Sequence, residues 1–137
     1  MLYKMSNDAS YDKIKHLVEI EDDIFAVFTI NSKGEITDLN IAKNIDIEKR
    51  RLIENIFTNF KDILKEEKEK IIINNSEILG KLKWKVFEYE KIRLLYISEI
   101  NKTVVVLIKS NTSLDETVDN ILGYYYEEDD YIPKSLF

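Results

Sequence analysis

The stretch that most constrains this chain is Asp46–Lys70, DIEKRRLIENIFTNFKDILKEEKEK. Apolar residues fall at Leu52, Ile53, Ile56, Phe57, Phe60, Ile63 and Leu64, the spacing of one helical face. At about 100° per residue these side chains cover an arc of roughly 140°. Asp46 is a good N-cap, and Glu48 lies in the first turn, where the helix dipole favours an acid. The stripe stops at Leu64, with Glu67 on its apolar side, so the last turns are expected to project past the core. Such a helix draws its stability from packing, and a β-sheet is the obvious partner. The arc exceeds the roughly 100° that a helix lying on a sheet needs. Ile53, Phe57, Phe60 and Leu64 should meet the sheet. Leu52, Ile56 and Ile63, with Asn59 beyond them, form a surplus margin.

The rest of the chain supplies that sheet. A first helix is expected at about Ser10–Glu21, capped by Ser10 or Asp8, with Tyr11, Ile14, Leu17 and Val18 inward and His16 outward. Ile24–Ile30, IFAVFTI, is a continuous apolar run and reads as a strand buried on both faces. Asn31–Gly34 is a turn, and Glu35–Asn40 completes a hairpin. Residues 71–78 read either as a helix exit or as a brief strand. Lys81–Tyr89 alternates Leu82, Trp84 and Val86 against lysines, and Val86-Phe87 breaks the phase as a bulge would. Ile92–Ile100 and Thr103–Lys109 complete a meander. Ser113-Leu114-Asp115-Glu116 has the form of a capping box before a helix at Ser113–Tyr126. The expected architecture is α+β, with element order α-β-β-α-β-β-β-α: one five-stranded antiparallel sheet, a long central helix and flanking terminal helices. Residues 1–126 form a single domain, followed by an acidic, aromatic tail at 127–137.

Several chemistries find no residues to carry them. The chain has no cysteine and one histidine, so a thiolate metal site is excluded and a histidine-based centre would need His16 alone. With three scattered glycines there is no phosphate-cradling loop. The acidic runs at Glu19–Asp23 and Glu127–Asp130 lack calcium-loop spacing. A net charge of −6 argues against a duplex-binding role. Lys81, Lys83, Lys85 and Arg93 could form a basic stripe, but a lysine row is also a common guard on an edge strand. No apolar run approaches the ~18–20 residues of a membrane span, and no signal-peptide core is present. The expectation is a soluble, cytoplasmic, non-enzymatic protein with no cofactor, metal or nucleic-acid ligand. Tyr125 is expected in the core, while Tyr124, Tyr126 and the tail either pack back on the sheet or dock on a partner.

The strand–turn–strand IFAVFTINSKGEITDLN (24–40), the meander at 79–109 and the helix SLDETVDNILGYYY (113–126) resemble the roadblock (dynein light chain) family, within the profilin-like and longin-like fold group. The sequence departs from that pattern in its acidic tail and in lacking a small-residue-rich central helix. The resemblance implies an adaptor that pairs with a second copy through the central helix and the adjacent strand, forming one sheet across two subunits. It also implies a role as scaffold or regulator, with a small Ras-like GTPase as a candidate partner. Carried onto this sequence, the pairing surface is Leu52, Ile56, Asn59, Ile63, Leu82, Trp84 and Val86. The alternative is a sensor domain holding a small apolar molecule between sheet and helix. A hydrolase has the least support, because no acid/base pair can be nominated.

Overall fold

The computed structural model describes residues 13–70, 76–111 and 113–126. Helix α1 (13–20) leads into strands β1 (Ile24–Asn31) and β2 (Ile36–Ile41). Helices α2 (Ile47–Thr58) and α3 (Phe60–Lys70) follow, then a single turn, α4 (Ser76–Leu79). Strands β3 (Trp84–Glu88), β4 (Ile92–Ser98) and β5 (Lys102–Lys109) lead to the last helix, α5 (Leu114–Tyr125). The strands form one sheet in the order β2-β1-β5-β4-β3, antiparallel throughout. The five strands in one antiparallel sheet are those expected from the sequence, while three helical segments stand between hairpin and meander where one long helix was expected. The expected first-helix cap, residues 71–75 and the tail lie outside the described residues.

Three interior strands, β1, β5 and β4, are apolar on both faces because helices cover both. On one side α1 and α5 bury Leu17, Val118 and Ile121 against Val27, Leu95, Val104 and Val106. On the other, α2 and α3 bury Ile53, Ile56 and Phe60 against Phe28, Leu94, Tyr96 and Val105. The period-2 alternation of β5 divides its residues between these layers: Val104, Val106 and Ile108 face one, Val105 and Leu107 the other. The β1–β2 turn is set by Asn31, whose Oδ1 accepts the Lys33 and Glu35 amides at 3.0 and 2.9 Å. Gly34 sits there at φ +83°, a conformation that glycine adopts without a Cβ clash.

Several local expectations need correction. The long helix is not continuous. At Asn59 (φ −102°, ψ 14°) both the backbone amide and the side-chain Nδ2 donate to the Asn55 carbonyl, at 3.0 and 2.8 Å. The amide keeps its rung of the ladder, and a side chain that bonds back to the same carbonyl favours a bend at this point. The stripe survives the break, which is why periodicity does not show it. No bulge interrupts β3: its pairing with β4 is regular from Trp84↔Ile97 to Glu88↔Arg93. The phase change at Phe87 instead reflects α3, which covers that end of the strand's second face. The bulge lies in β1, where the register slips between Ile24 and Ala26 and Phe25 joins Ala26 in the α2–α3 layer. Ser113 caps α5 only through its backbone carbonyl, with no side-chain cap bond, so the capping box does not form. Arg93 is buried and pairs with Glu88. Its register partner Ile108 belongs to the α5 layer while Lys85 lies over the Tyr96 ring of the other, so no single basic stripe exists.

Candidate interaction surface

The two edges of the sheet differ in what they offer. β2 is largely polar, its pairing with β1 is irregular, and Asp38 takes a positive φ of 44°. Such distortion blunts an edge against further pairing. β3 is regular throughout. The Lys83 carbonyl accepts from Ser98 N at 2.8 Å, and the Tyr89 amide donates to the Ile92 carbonyl at 2.9 Å. Because ladder bonds alternate along an antiparallel strand, residues 83, 85, 87 and 89 turn their backbone polar groups to β4. Trp84, Val86 and Glu88 therefore turn theirs away from the sheet. The edge is flanked by exposed apolar side chains, Leu82 at 44% and Trp84 at 42% accessibility, with Ile78 and Leu79 of α4 at 82% and 78%.

The sequence-nominated residues separate into two groups. Leu52 and Ile63 are half-buried against the α2–α3 layer, and Asn59 is exposed at the helix break. Leu52 shares a groove with Glu90 and Lys91 of the β3–β4 turn, which puts this helix margin on the β3 side of the sheet. Ile56, at 7% exposure, is ordinary core and not surplus, because the helix sits more deeply on the sheet than its arc alone suggests. Trp84 and Val86 lie on the opposite face: Val86 packs against the α1–α5 layer, and Trp84 shares its parity. Helix margin and strand are thus joined only through the β3 edge between them. Sequence reasoning missed Ile78, in the stretch left open between helix and strand, and Leu79, which it placed at the start of the meander.

It also misplaced Glu67. This carboxylate does not project past the core but is fully buried at 0% exposure. It accepts from Tyr89 Oη at 2.5 Å and from Tyr96 Oη, and so fastens the end of α3 to β4 and the end of β3. Burial, then the Glu67 hydrogen bond and charge, pushes both phenols well above their ordinary range. The signal was in the stripe: Glu67 lies two helical turns beyond Phe60 on the same face. A buried carboxylate needs donors, and tyrosines are the donors an aromatic layer can provide.

Among the described residues no group of three or more histidine or acidic side chains could hold a metal ion, and His16 is exposed. No helix of the described residues is long and apolar enough to cross a membrane. A groove of about 700 Å³ opens between α1 and β2, lined both by charged side chains such as Lys15, Glu19, Asp22 and Lys43 and by apolar ones such as Val18, Leu39 and Ile41. Its mixed lining is more polar than the mostly apolar wall typical of a small-molecule site.

The fold is shared with proteins of known structure. MglB from Myxococcus xanthus matches with a TM-score of 0.52 at 14% identity, over 93% of this chain and 94% of that one. MglC from the same organism matches with a TM-score of 0.53 at 13% identity, over 87% and 99%. A Roadblock/LC7 domain from Streptomyces avermitilis matches with a TM-score of 0.47 at 9% identity, over 91% and 96%. No protein-family model and no curated protein matches the sequence. The likeness is one of architecture, and it supports the roadblock-like α+β fold that the sequence resembles.

Proposed function

We propose that this chain is a non-enzymatic adaptor that pairs with a second copy of itself through the β3 edge and the adjoining margin of α2 and α3. The observation that carries this reading is the contrast between the edges: β2 is polar and distorted, whereas β3 is regular and bordered by Leu82 and Trp84. A regular edge left bare invites aggregation unless something covers it. Pairing β3 with its symmetry mate satisfies the outward groups of Trp84, Val86 and Glu88 and brings Leu52 and Ile63 to the two-fold axis. The family resemblance adds the finer reading, a scaffold or regulator of a small Ras-like GTPase.

Sedimentation of the purified chain tests the pairing: a dimer is expected, and a strict monomer at high micromolar concentration overturns it. Val86→Pro removes an outward amide while keeping the β4 ladder, because proline is tolerated where an edge N–H faces solvent. It should yield a folded monomer. Leu52→Glu and Ile63→Glu should weaken the dimer from the helix side, and if they unfold the protein instead, those residues are ordinary core. The GTPase reading is tested by titrating purified Ras-like GTPases, loaded with GDP or GTP, onto the dimer. Equal, absent binding in both states removes that reading and leaves the pairing intact.

A further inference from the structure

The β3 edge restricts how a second copy can add to it. Lys83 and Tyr89 bond inward to β4, so Trp84, Val86 and Glu88 carry the outward backbone groups. Two antiparallel copies exchange hydrogen bonds only where an outward residue faces an outward residue. With a two-fold axis inside β3, each such register is centred on one residue from 84 to 88.

These registers differ in how much strand they use. Centring on Val86 pairs the whole of Trp84–Glu88 with itself: Val86 meets Val86, and Trp84 meets Glu88 of the second copy. Centring on Trp84 sets Glu88 against Gly80 of the second copy, whose φ of +86° is not that of a strand. Centring on Phe87 sets Trp84 against Glu90 in the β3–β4 turn. Centring on Glu88 sets two carboxylates face to face.

Charge makes the same choice. Lys83 and Lys85 alternate with Trp84 and Val86, and Lys85 lies over the rings of Phe87 and Tyr96 at 5.7 and 5.3 Å. Both lysines therefore belong to the α2–α3 face. In the added ladder they occupy the closer, non-hydrogen-bonded sites, about 4.5 Å apart between Cα atoms. Centring on Lys85 sets Lys85 against Lys85, and centring on Trp84 sets Lys83 against Lys85 twice. Like charges directly opposite are destabilising. Centring on Val86 instead sets Lys85 against Phe87 and Lys83 against Tyr89 of the second copy, so each cation meets an aromatic ring. On the α5 face it brings Trp84, 42% exposed in the single chain, diagonally within reach of Val86 of the second copy.

We infer that the second copy adds to β3 in a single antiparallel register centred on Val86, an inference that rests on the self-pairing proposed above. Strand overlap and charge select this register together, and the lysines that guard the bare edge also exclude the slips centred on Trp84 and Lys85.

The chain has no cysteine, so introduced cysteines read the register without background. Val86→Cys, Trp84→Cys and Glu88→Cys leave both lysines in place. Facing residues at hydrogen-bonded sites lie about 5.5 Å apart between Cα atoms, inside the disulfide limit of about 7 Å. With Val86 on the axis, the two Trp84 positions are offset by about 13 Å along the strands. Oxidation with copper–phenanthroline, followed by intact mass, should give disulfide dimer from Val86→Cys alone. Trp84→Cys mixed with Glu88→Cys should give a mixed dimer. Trp84→Cys alone should give none, and Trp84→Cys mixed with Val86→Cys should give no mixed dimer. A dimer from Trp84→Cys alone moves the centre to Trp84, a mixed dimer with Val86→Cys moves it to Lys85, and either overturns the register while self-pairing through β3 stands. Sedimentation as a dimer with no disulfide in any combination overturns the register and takes pairing away from the β3 edge. Sedimentation as a monomer overturns self-pairing itself. Val86→Cys and the Trp84→Cys with Glu88→Cys mixture report the same register, so loss of fold in one, seen by circular dichroism, leaves the other to decide.

Discussion

The two helical layers on this sheet are built from different chemistry. Among the described residues the α1–α5 layer is almost wholly aliphatic, with Tyr125 its one aromatic buried residue. The α2–α3 layer holds Phe25, Phe28, Phe60 and Tyr96, and it encloses the carboxylate of Glu67. Phe60 meets Phe28 edge-on at 5.0 Å and Tyr96 at 6.2 Å. An aliphatic layer holds its helices by shape and area alone, and shape tolerates sliding. The aromatic layer adds directed contacts: ring edges meet ring faces, and two hydroxyls aim at one carboxylate. The layer beside the proposed pairing margin is therefore the one whose helix position is fixed by direction as well as by packing.

The largest expected effect tests the aromatic layer at its centre. Phe60→Ala removes a ring that joins Phe28 to Tyr96 and should cost about 3–5 kcal/mol in urea unfolding. Ile121→Ala, fully buried in the aliphatic layer, should cost less, within the range of about 2–5 kcal/mol for such truncations. If the two were equal, the ring–ring contacts of the first layer would add nothing beyond area.

Next in size is the carboxylate. Glu67→Leu leaves two phenolic hydroxyls without their acceptor, and Tyr96→Phe leaves the acceptor short of a donor. Each should cost about 1.5–3 kcal/mol, the range for hydrogen bonds to charged groups. A near-neutral Glu67→Leu, measured by the same unfolding curves, would show that packing alone holds α3.

The same cluster sets an alkaline limit. The phenols of Tyr96 and Tyr89 are raised by burial first and by Glu67 second, so the folded state keeps protons that the unfolded chain releases above pH about 10. Folded protein then binds more protons than unfolded, and stability falls as pH rises past that point. The contribution is fully present below pH about 10. Tyr96→Phe should flatten the decline between pH about 10 and 11, and an unchanged slope would place the titration elsewhere.

The contrast between layers was only partly legible in the sequence. The strands β1, β4 and β5 announce themselves, because a strand covered on both faces must be apolar at successive positions, as Ile24–Ile30 and Thr103–Ile108 are. The central helix stripe gives its sheet-facing residues Ile53 and Phe60 correctly. What periodicity cannot show is depth. Ile56 at the arc margin and Glu67 beyond the stripe are both buried, since burial depends on how far the helix settles onto the sheet and on what stands opposite. The donors for Glu67 lie 22 and 29 residues away, a pairing that no local pattern encodes. The break at Asn59 was likewise hidden, because it needs one side chain to turn back on its own helix. Of the pairing surface, the alternation of Leu82, Trp84 and Val86 was visible. That β3 is the regular edge depends on strand order, which local patterns leave open.

The smallest effect is also the sharpest test of the difference. Both layers bury a tyrosine, but among the described residues only one finds it a partner. Tyr96 gives its hydroxyl to Glu67, whereas the buried Tyr125 hydroxyl has no hydrogen-bond partner among the described residues. Removing a satisfied hydroxyl loses a bond, while removing an unsatisfied one relieves a desolvation cost. Tyr125→Phe should therefore leave stability unchanged or raise it by about 1 kcal/mol, opposite in sign to Tyr96→Phe. The substitution keeps the ring, so its edge contact with Tyr126 and its place under Lys13 persist. The two single-atom deletions, compared by denaturant midpoint at constant slope, thus read the polar chemistry of each layer with its packing held fixed. A loss for Tyr125→Phe as large as that for Tyr96→Phe would mean that the aliphatic layer too relies on a hydroxyl bond.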